Sequence, residues 1–254
     1  MNTATLEKMG SIGLQGMKES FQTSLETREF NKLSPDEFIH QLVQAEWDYR
    51  QNKKMQTLLK NAHFRYQASI EEIEYSTGRN LDKNTFTRLA ECSFIKKGEN
   101  VLITGATGAG KSYIASALGH QCCIKGFKVL YYSISRLFTQ LKMSKADGSY
   151  LKMMSKLEKM DVIILDDFGT YPMDLQAKLN LLELLEDRHG KRCTIIASQI
   201  PVSQWYDVLI EQTIADAILD RLVHKSHRIE ILGESMRRIK PENNNVTNKK
   251  SGTV

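Results

Sequence analysis

A glycine-rich loop that directly follows a short apolar run constrains this 254-residue chain more than any other feature. Residues 105–112 read GATGAGKS, which matches the pattern GxxxxGK[ST], and residues 101–104 before them read VLIT. This order predicts a buried strand, a loop whose backbone N–H groups surround a phosphate, and a helix whose positive N-terminal end points at the same place. The loop therefore predicts a nucleoside triphosphate site.

Each position of this loop has a predicted task. Lys111 is expected to reach the β- and γ-phosphates, and the hydroxyl of Ser112 is expected to bind Mg²⁺. The remaining positions are expected to hold the phosphates through the backbone, and they are Gly105, Ala106, Thr107, Gly108, Ala109 and Gly110. ATP and Mg²⁺ are therefore the predicted cofactors.

Four further apolar runs follow the loop, at 128–132, 162–165, 194–197 and 228–231. They are short and nearly continuous, as is typical of strands buried on both faces of a parallel sheet. Helical patterns lie between them, as at 175–188. Alternating strands and helices predict a doubly wound α/β fold, whose ligands bind beyond the carboxyl ends of the strands.

Two carboxylates close one of these apolar runs. Asp166 and Asp167 follow residues 162–165 and lie about 55 residues after the glycine-rich loop. Alone, such a pair is explained equally well by an ordinary strand end. In this order of elements, Asp166 is predicted to bind the magnesium shell and Asp167 to orient or deprotonate the attacking water.

The first 66 residues read as helical. Ser34-Pro35-Asp36-Glu37 is a helix start with a capping box, and a further helix is expected over 14–25. No Gly or Pro occurs between Asp36 and Gly78, which predicts one long helix or a helix pair ending around 66–81. We therefore divide the chain into an N-terminal helical domain for DNA binding or oligomerisation (1–66), a core (67–233) and a short polar tail (234–254) that is expected to be disordered.

Composition limits the cellular setting. The chain has no apolar stretch long enough to span a membrane and no basic start followed by an apolar run, which predicts a cytoplasmic protein. Its four cysteines show no zinc-binding spacing and are expected to be buried free thiols, since disulfides are rare in the cytoplasm.

Basic residues cluster locally although the net charge is only +5. The segments 50–65 and 125–159 are rich in Lys and Arg, a composition that suits sequence-independent contacts with DNA phosphates. The residues chosen as DNA contacts are Lys53, Lys54, Lys142 and Lys145. The alternative is that these segments are solvated helix faces, as most charge runs are.

Three later runs are more specific than the loop. Residues 194–205, 213–224 and 233–237, taken with the loop and the acidic strand, resemble the IstB-type transposition ATPases. These are helper proteins of insertion sequences within the AAA+ class, related to the DnaC-type helicase loaders. The resemblance implies a P-loop fold of the AAA+ type with a parallel sheet flanked by helices, an N-terminal helical domain and little or no C-terminal lid.

The resemblance also implies residue roles. Gln199, after Ser198, matches the sensor 1 position, where a polar side chain contacts the γ-phosphate or water. Arg221 matches the arginine finger that one subunit supplies to the ATP of its neighbour. Arg237 resembles sensor 2 and would contact the nucleotide, with Arg238 as the competing choice. The chain departs from many AAA+ proteins in having Asp167 in place of Glu, which implies slow hydrolysis without a partner.

The function implied is an ATP-dependent, DNA-binding helper of transposition. ATP would drive assembly of a homo-oligomer on double-stranded DNA without sequence preference, the assembly would recruit the transposase of the same insertion sequence, and ATP hydrolysis would release it. The closest alternative is a replicative helicase loader that acts on single strands. Two others are a small-molecule P-loop kinase, for which no lid or acceptor segment is found, and a nucleotide-gated module that hydrolyses little ATP.

Overall fold

The computed structural model describes residues 2–28, 32–233 and 235. Its strands are Asn100–Gly105 (β1), Val129–Ser133 (β2), Val162–Phe168 (β3), Cys193–Ser198 (β4) and Ser226–Ile231 (β5). The N-terminal helices are Asn2–Ser11 (α1), Gln15–Thr27 (α2), Pro35–Ala62 (α3), Lys83–Ala90 (α4) and Ser93–Lys96 (α5). The later helices are Lys111–Ile124 (α6), Ile134–Ala146 (α7), Tyr150–Glu158 (α8), Leu175–Arg188 (α9), Trp205–Leu209 (α10) and Gln212–Val223 (α11).

The strands form one parallel sheet in the order β2-β3-β4-β1-β5. All five predicted strands are present, and the predicted parallel α/β fold is confirmed. Strand β1 lies between β4 and β5, and β3 lies beyond β4. Because all strands run in one direction, the ends of β1, β3 and β4 come together at the same edge of the sheet.

Helices cover both faces of this sheet. Side chains alternate along a strand, so that Val101 and Ile103 face one hydrophobic cluster while Leu102 faces the other. The first cluster includes side chains of α4, α5 and α6, and the second includes those of α7 to α11. The result is three layers, which explains why the strands read as continuous apolar runs.

The long helix α3 begins as the sequence predicts. The Ser34 hydroxyl accepts a hydrogen bond from the backbone N–H of Glu37, whose carboxylate accepts one from the backbone N–H of Ser34. Helix α2 packs against α3 closely at Gly16, where a Cβ atom would lie 2.4 Å from the carbonyl oxygen of Ala45. A glycine is required there because any side chain would separate the two helices.

Helix α3 ends earlier than predicted, at Ala62 and not within 66–81. His63 takes a left-handed conformation with φ of 56°, which stops the helix without a Gly or Pro. The last turns of α3 pack on the core through Leu58 and Leu59, and Phe64 packs there directly after the turn. The prediction failed because the helix end is set by this packing, which has no local sequence signal.

The four cysteines are buried free thiols, as predicted. The Sγ atoms of Cys92 and Cys122 lie 3.7 Å apart, which is too far for a covalent bond. Within the described residues, no helix is both long and apolar enough to cross a membrane.

Candidate functional site

A cavity of about 820 Å³ lies at the carboxyl edge of the sheet. The glycine-rich loop forms one side of it, and the residues that follow β3 and β4 form another. A third side comes from the segment that connects α3 to the core. The residues that line these three sides include Thr107, Gly108, Lys111, Ser112, Asp167, Gln199, Arg65 and Arg79.

The loop has the backbone conformation that its glycines were expected to allow. Gly110 precedes α6 with φ of 94°, a left-handed value that strains most other residues. At Gly105, a Cβ atom would lie only 2.4 Å from the carbonyl oxygen of Ile231. The backbone of β5 therefore passes close to the start of the loop, and the N-terminal end of α6 faces the cavity.

Lys111 and Ser112 begin helix α6 beside this cavity. Lys111 is mostly buried, and its Nζ donates a hydrogen bond of 2.8 Å to the carbonyl oxygen of Ala106. The side chain thus folds back over the loop, so its positive charge lies where bound phosphates would be. The structure brings both predicted residues to one place.

Asp166 is the most enclosed carboxylate of the site. Its side chain is 1% exposed, and it accepts hydrogen bonds from the Tyr131 hydroxyl and from the backbone N–H of Asp167, the latter at 2.9 Å. Burial and the nearby charge of Asp166 raise the pKa of Tyr131. Asp167 has φ of 59°, uncommon for a residue other than glycine, at an irregularity between β3 and β4. That turn directs Asp167 into the cavity.

Sequence reasoning missed the cation that pairs with both aspartates. Nη1 of Arg65 lies 3.2 Å from Oδ2 of Asp166 and 3.3 Å from Oδ2 of Asp167. The sequence grouped Arg65 with the basic segment 50–65, whereas the structure directs its side chain at the acidic strand. Arg65 is 101 positions from Asp166, so no local pattern could have predicted the pair.

The site suits a magnesium ion that arrives with a nucleotide. Hydroxyl and carboxylate oxygens, as of Ser112 and Asp166, are the ligands that Mg²⁺ prefers, and it commonly takes the others from substrate phosphates and water. The carboxylates already hold one positive group, the Arg65 guanidinium. No group of three or more His, Cys, Asp or Glu suited to a metal occurs in the described part of the chain.

Gln199 contacts the glycine-rich loop directly. Its Oε1 accepts a hydrogen bond of 2.7 Å from the Thr107 hydroxyl. Ser198 is fully buried, and its hydroxyl donates to the carbonyl oxygen of Phe168 at 2.8 Å. Of the two neighbours, Gln199 therefore faces the cavity while Ser198 joins β4 to the end of β3.

The turn at 78–80 forms a wall of the cavity, which the sequence did not predict. Arg79 donates hydrogen bonds to the carbonyl oxygens of Glu74 at 2.8 Å and of Ala109 at 2.7 Å, so it ties this wall to the loop. The backbone N–H of Leu232 donates to the carbonyl oxygen of Arg79 at 3.1 Å. Beyond it, Ser235 lies against Gly108.

Arg221 lies far from the loop of its own chain. The Asn100 side chain, at the start of β1, donates a 2.8 Å hydrogen bond to the Arg221 backbone carbonyl oxygen, whereas the loop follows the end of β1. The guanidinium is paired with Glu186 on α9 and donates to the carbonyl oxygen of Ala217 at 2.7 Å. Arg237 and Arg238, the sensor 2 candidates, lie outside the described residues. The predictions of a disordered tail and of little or no lid concern that same part of the chain.

The candidate DNA contacts lie on two helices. Lys53 and Lys54 are exposed on α3, whose last turns pack on the same face of the sheet as α6. Lys142 and Lys145 are exposed on α7, which packs on the other face. Lys145 donates a 2.8 Å hydrogen bond to Oδ1 of Asn180 and lies over the Tyr150 ring. The structure therefore places the two pairs on different layers.

Comparison with known proteins identifies the family. The family model described as IstB-like ATP binding protein matches residues 7–244. The chain belongs to this family. A protein of Sinorhizobium fredii, described as an insertion sequence ATP-binding protein, is 42% identical over 234 residues, which cover 92% of this chain and 96% of that protein. A similarly described protein of Pseudomonas aeruginosa, of the insertion sequence IS21, is 28% identical over 90% of this chain and 86% of that protein.

Solved structures agree on the fold. DnaI is similar with a TM-score of 0.54 and 22% identity, covering 69% of this chain and 93% of that one. The DnaC helicase loader has a TM-score of 0.55 and 16% identity, covering 65% of this chain and 97% of that one. DnaA of Aquifex aeolicus has a TM-score of 0.57 and 16% identity, covering 69% of this chain and 53% of that one. This IstB-like chain therefore shares the fold of these proteins, a parallel sheet flanked by helices.

Proposed function

We propose that this protein is an ATPase that assembles on double-stranded DNA and recruits the transposase of its insertion sequence. The observation that carries the proposal is the meeting of the glycine-rich loop, Asp167 and Gln199 around one cavity, with Asp166 buried directly behind Asp167. The family membership and the names of the relatives, which refer to insertion sequences, support the setting. The proposal places the protein in the cytoplasm, beside the DNA on which it acts.

The residues of the cavity suit ATP hydrolysis. Lys111 and the N-terminal end of α6 would hold the phosphates, and Ser112 and Asp166 would hold the magnesium ion. When bound, that ion would offset the negative charge of the phosphates. Asp167 faces the cavity beside Asp166 and would orient or accept a proton from the attacking water. Gln199, held by Thr107, would contact the γ-phosphate or that water.

The arginine finger would come from a neighbouring subunit. The Arg221 side chain does not line the cavity of its own chain, so a role in hydrolysis requires a second copy. Its partner Glu186 is 58% exposed, whereas Arg221 is 22% exposed, and an ion pair with one partner in solvent stabilises the fold little. The guanidinium could therefore leave Glu186 for the phosphates of a neighbour at small cost. Assembly and hydrolysis would be linked in this way.

Replacing Arg221 with alanine is expected to lower ATP turnover on DNA by at least about 1000-fold, the typical loss of an arginine finger. Binding of ATP to the isolated subunit is expected to stay the same, because Arg221 lies away from the cavity. The rate of phosphate release with duplex DNA present measures ATP turnover, and titration with a fluorescent ATP analogue measures ATP binding.

The control is Glu186→Gln, which removes the intrachain partner of Arg221 but keeps the guanidinium. It should hydrolyse ATP at least as fast as wild type. Unchanged turnover in Arg221→Ala would show that Arg221 is not the finger.

Binding to duplex and to single-stranded DNA separates this proposal from a helicase loader. The likeness to DnaC concerns the fold alone and leaves the DNA substrate open. The proposed helper should bind duplex DNA more tightly with ATP than without it. A strict preference for single strands would favour the loader.

The lysines of α7 offer a test of DNA contact. A plot of the logarithm of the duplex-binding constant against the logarithm of salt concentration has a slope that counts neutralised phosphates. If Lys142 and Lys145 each neutralise one phosphate, the double alanine variant should reduce the magnitude of this slope by about 2. The matched control is the double alanine variant at Lys96 and Lys97, an exposed pair at the end of α5. Equal slopes in both variants and wild type would remove α7 from the DNA interface.

A further inference from the structure

Arg65 connects the acidic strand to the end of helix α3. It lies three residues after Ala62, the last residue of α3, and its guanidinium reaches both Asp166 and Asp167. Neither the glycine-rich loop nor the acidic strand contains it. The contact therefore joins the proposed ATP site to the N-terminal helices.

The electrostatic reason for this contact is the burial of Asp166. Its carboxylate is 1% exposed, and an ionised carboxylate removed from water is costly without a positive partner. Tyr131 supplies a hydroxyl donor but no charge. Arg65, with Nη1 at 3.2 Å, supplies the charge. The side chain of Arg65 is 42% exposed, so it can leave for solvent more easily than Asp166 can.

A magnesium ion at Asp166 would meet the same need as Arg65. Two positive groups competing for Oδ2 of Asp166 repel each other, so the ion and the guanidinium are alternatives at that atom. We propose that Arg65 substitutes for magnesium in the nucleotide-free protein and is displaced when the metal enters with the nucleotide. This inference rests on the proposed ATP and magnesium site.

Displacement of Arg65 would change the conformation of the chain just after α3. The neighbouring Phe64 packs on the core against Gly119 of α6, where a Cβ atom would lie 2.5 Å from the Phe64 ring. Phe64 would therefore stay in place when Arg65 moves. The resulting conformational change would affect the segment that follows Arg65. Tyr66 lines the same cavity. Arg65 is accordingly a positioning residue: its displacement by the metal would alter the segment that connects α3 to the core.

The first test is a magnesium titration of nucleotide binding, with a fluorescent ADP analogue as the probe. ADP is chosen because it excludes any effect of Arg65 on the γ-phosphate. In Arg65→Ala, the Mg²⁺ concentration at half-saturation should fall by about tenfold, since a competing unit charge in contact with a carboxylate has effects of that size. Arg65→Lys should remain close to wild type because it keeps the charge.

The matched control is Lys60→Ala, which removes a positive charge from the exposed side of the same helix end. It should leave the magnesium titration unchanged. If Arg65→Ala also titrates as wild type does, or needs more magnesium, the inference is wrong. If wild type binds the probe neither with nor without magnesium, the proposed ATP site itself fails, which is a different result.

Thermal unfolding gives a second readout that does not depend on the fluorescent probe. In EDTA, Arg65→Ala should melt below wild type because Asp166 is left buried without a positive partner. Saturating magnesium and ADP should raise its melting temperature by more than that of wild type, since the ligand then restores the missing charge. Equal increments in the two proteins would overturn the inference.

Discussion

Replacing Lys111 with alanine is expected to weaken ATP binding by about 100-fold, the effect of losing charge-assisted hydrogen bonds to phosphates. The Lys111 ammonium group lies over the loop, 2.8 Å from the carbonyl oxygen of Ala106, in a mostly buried position. Titration with a fluorescent ATP analogue measures the loss.

Lys125→Ala is the matched control for this prediction. Lys125 follows the last residue of α6, the same helix that Lys111 begins, and it is exposed. Its removal should leave ATP affinity unchanged while altering the net charge equally. Wild-type affinity in Lys111→Ala would show that the loop does not hold the phosphates.

The largest expected loss of stability follows from Arg188, a buried cation at the end of α9. It is 1% exposed and donates hydrogen bonds to the carbonyl oxygens of Leu157 at 2.9 Å, Met160 at 2.8 Å and Cys193 at 2.5 Å. Burial lowers the pKa of Arg188 to about 10, so it still carries its charge at neutral pH. One side chain thus joins α8, α9 and β4.

Arg188→Leu is expected to lower the free energy of unfolding by about 3–5 kcal/mol, because three carbonyl oxygens lose a charged donor together, two of them in buried hydrogen bonds. Chemical denaturation measures this change. Arg192→Leu is the control: Arg192 is 40% exposed and pairs with Asp161, so its loss should cost less than about 1 kcal/mol. Equal effects of the two substitutions would contradict the role of Arg188 in joining these elements.

Local patterns predicted the elements of this fold well. Apolar runs gave all five strands, and the capping box gave the start of α3 at Pro35. These succeed because burial on both faces and N-capping depend on residues adjacent in sequence. The predicted end of α3 was wrong, because the left-handed turn at His63 depends on the packing of Phe64 against α6.

The residues of the candidate site also fall into two groups, those that local sequence patterns predicted and those that they did not. The loop at 105–112 begins at the end of β1, the two aspartates lie near the end of β3, and Gln199 directly follows β4. Parallel strands bring these ends to one edge of the sheet. Arg65, Tyr131 and Arg79 carry no such signal, because they reach the site through side chains from other elements.

The sequence by itself therefore determined that a phosphate-binding loop precedes α6 and that acidic and polar side chains share its edge of the sheet. Only the tertiary structure decided what neutralises Asp166. A buried carboxylate requires a positive partner, and which cation provides it depends on the path of the chain in space. Here that path brings Arg65 to the acidic strand from the end of α3, 101 residues away along the chain.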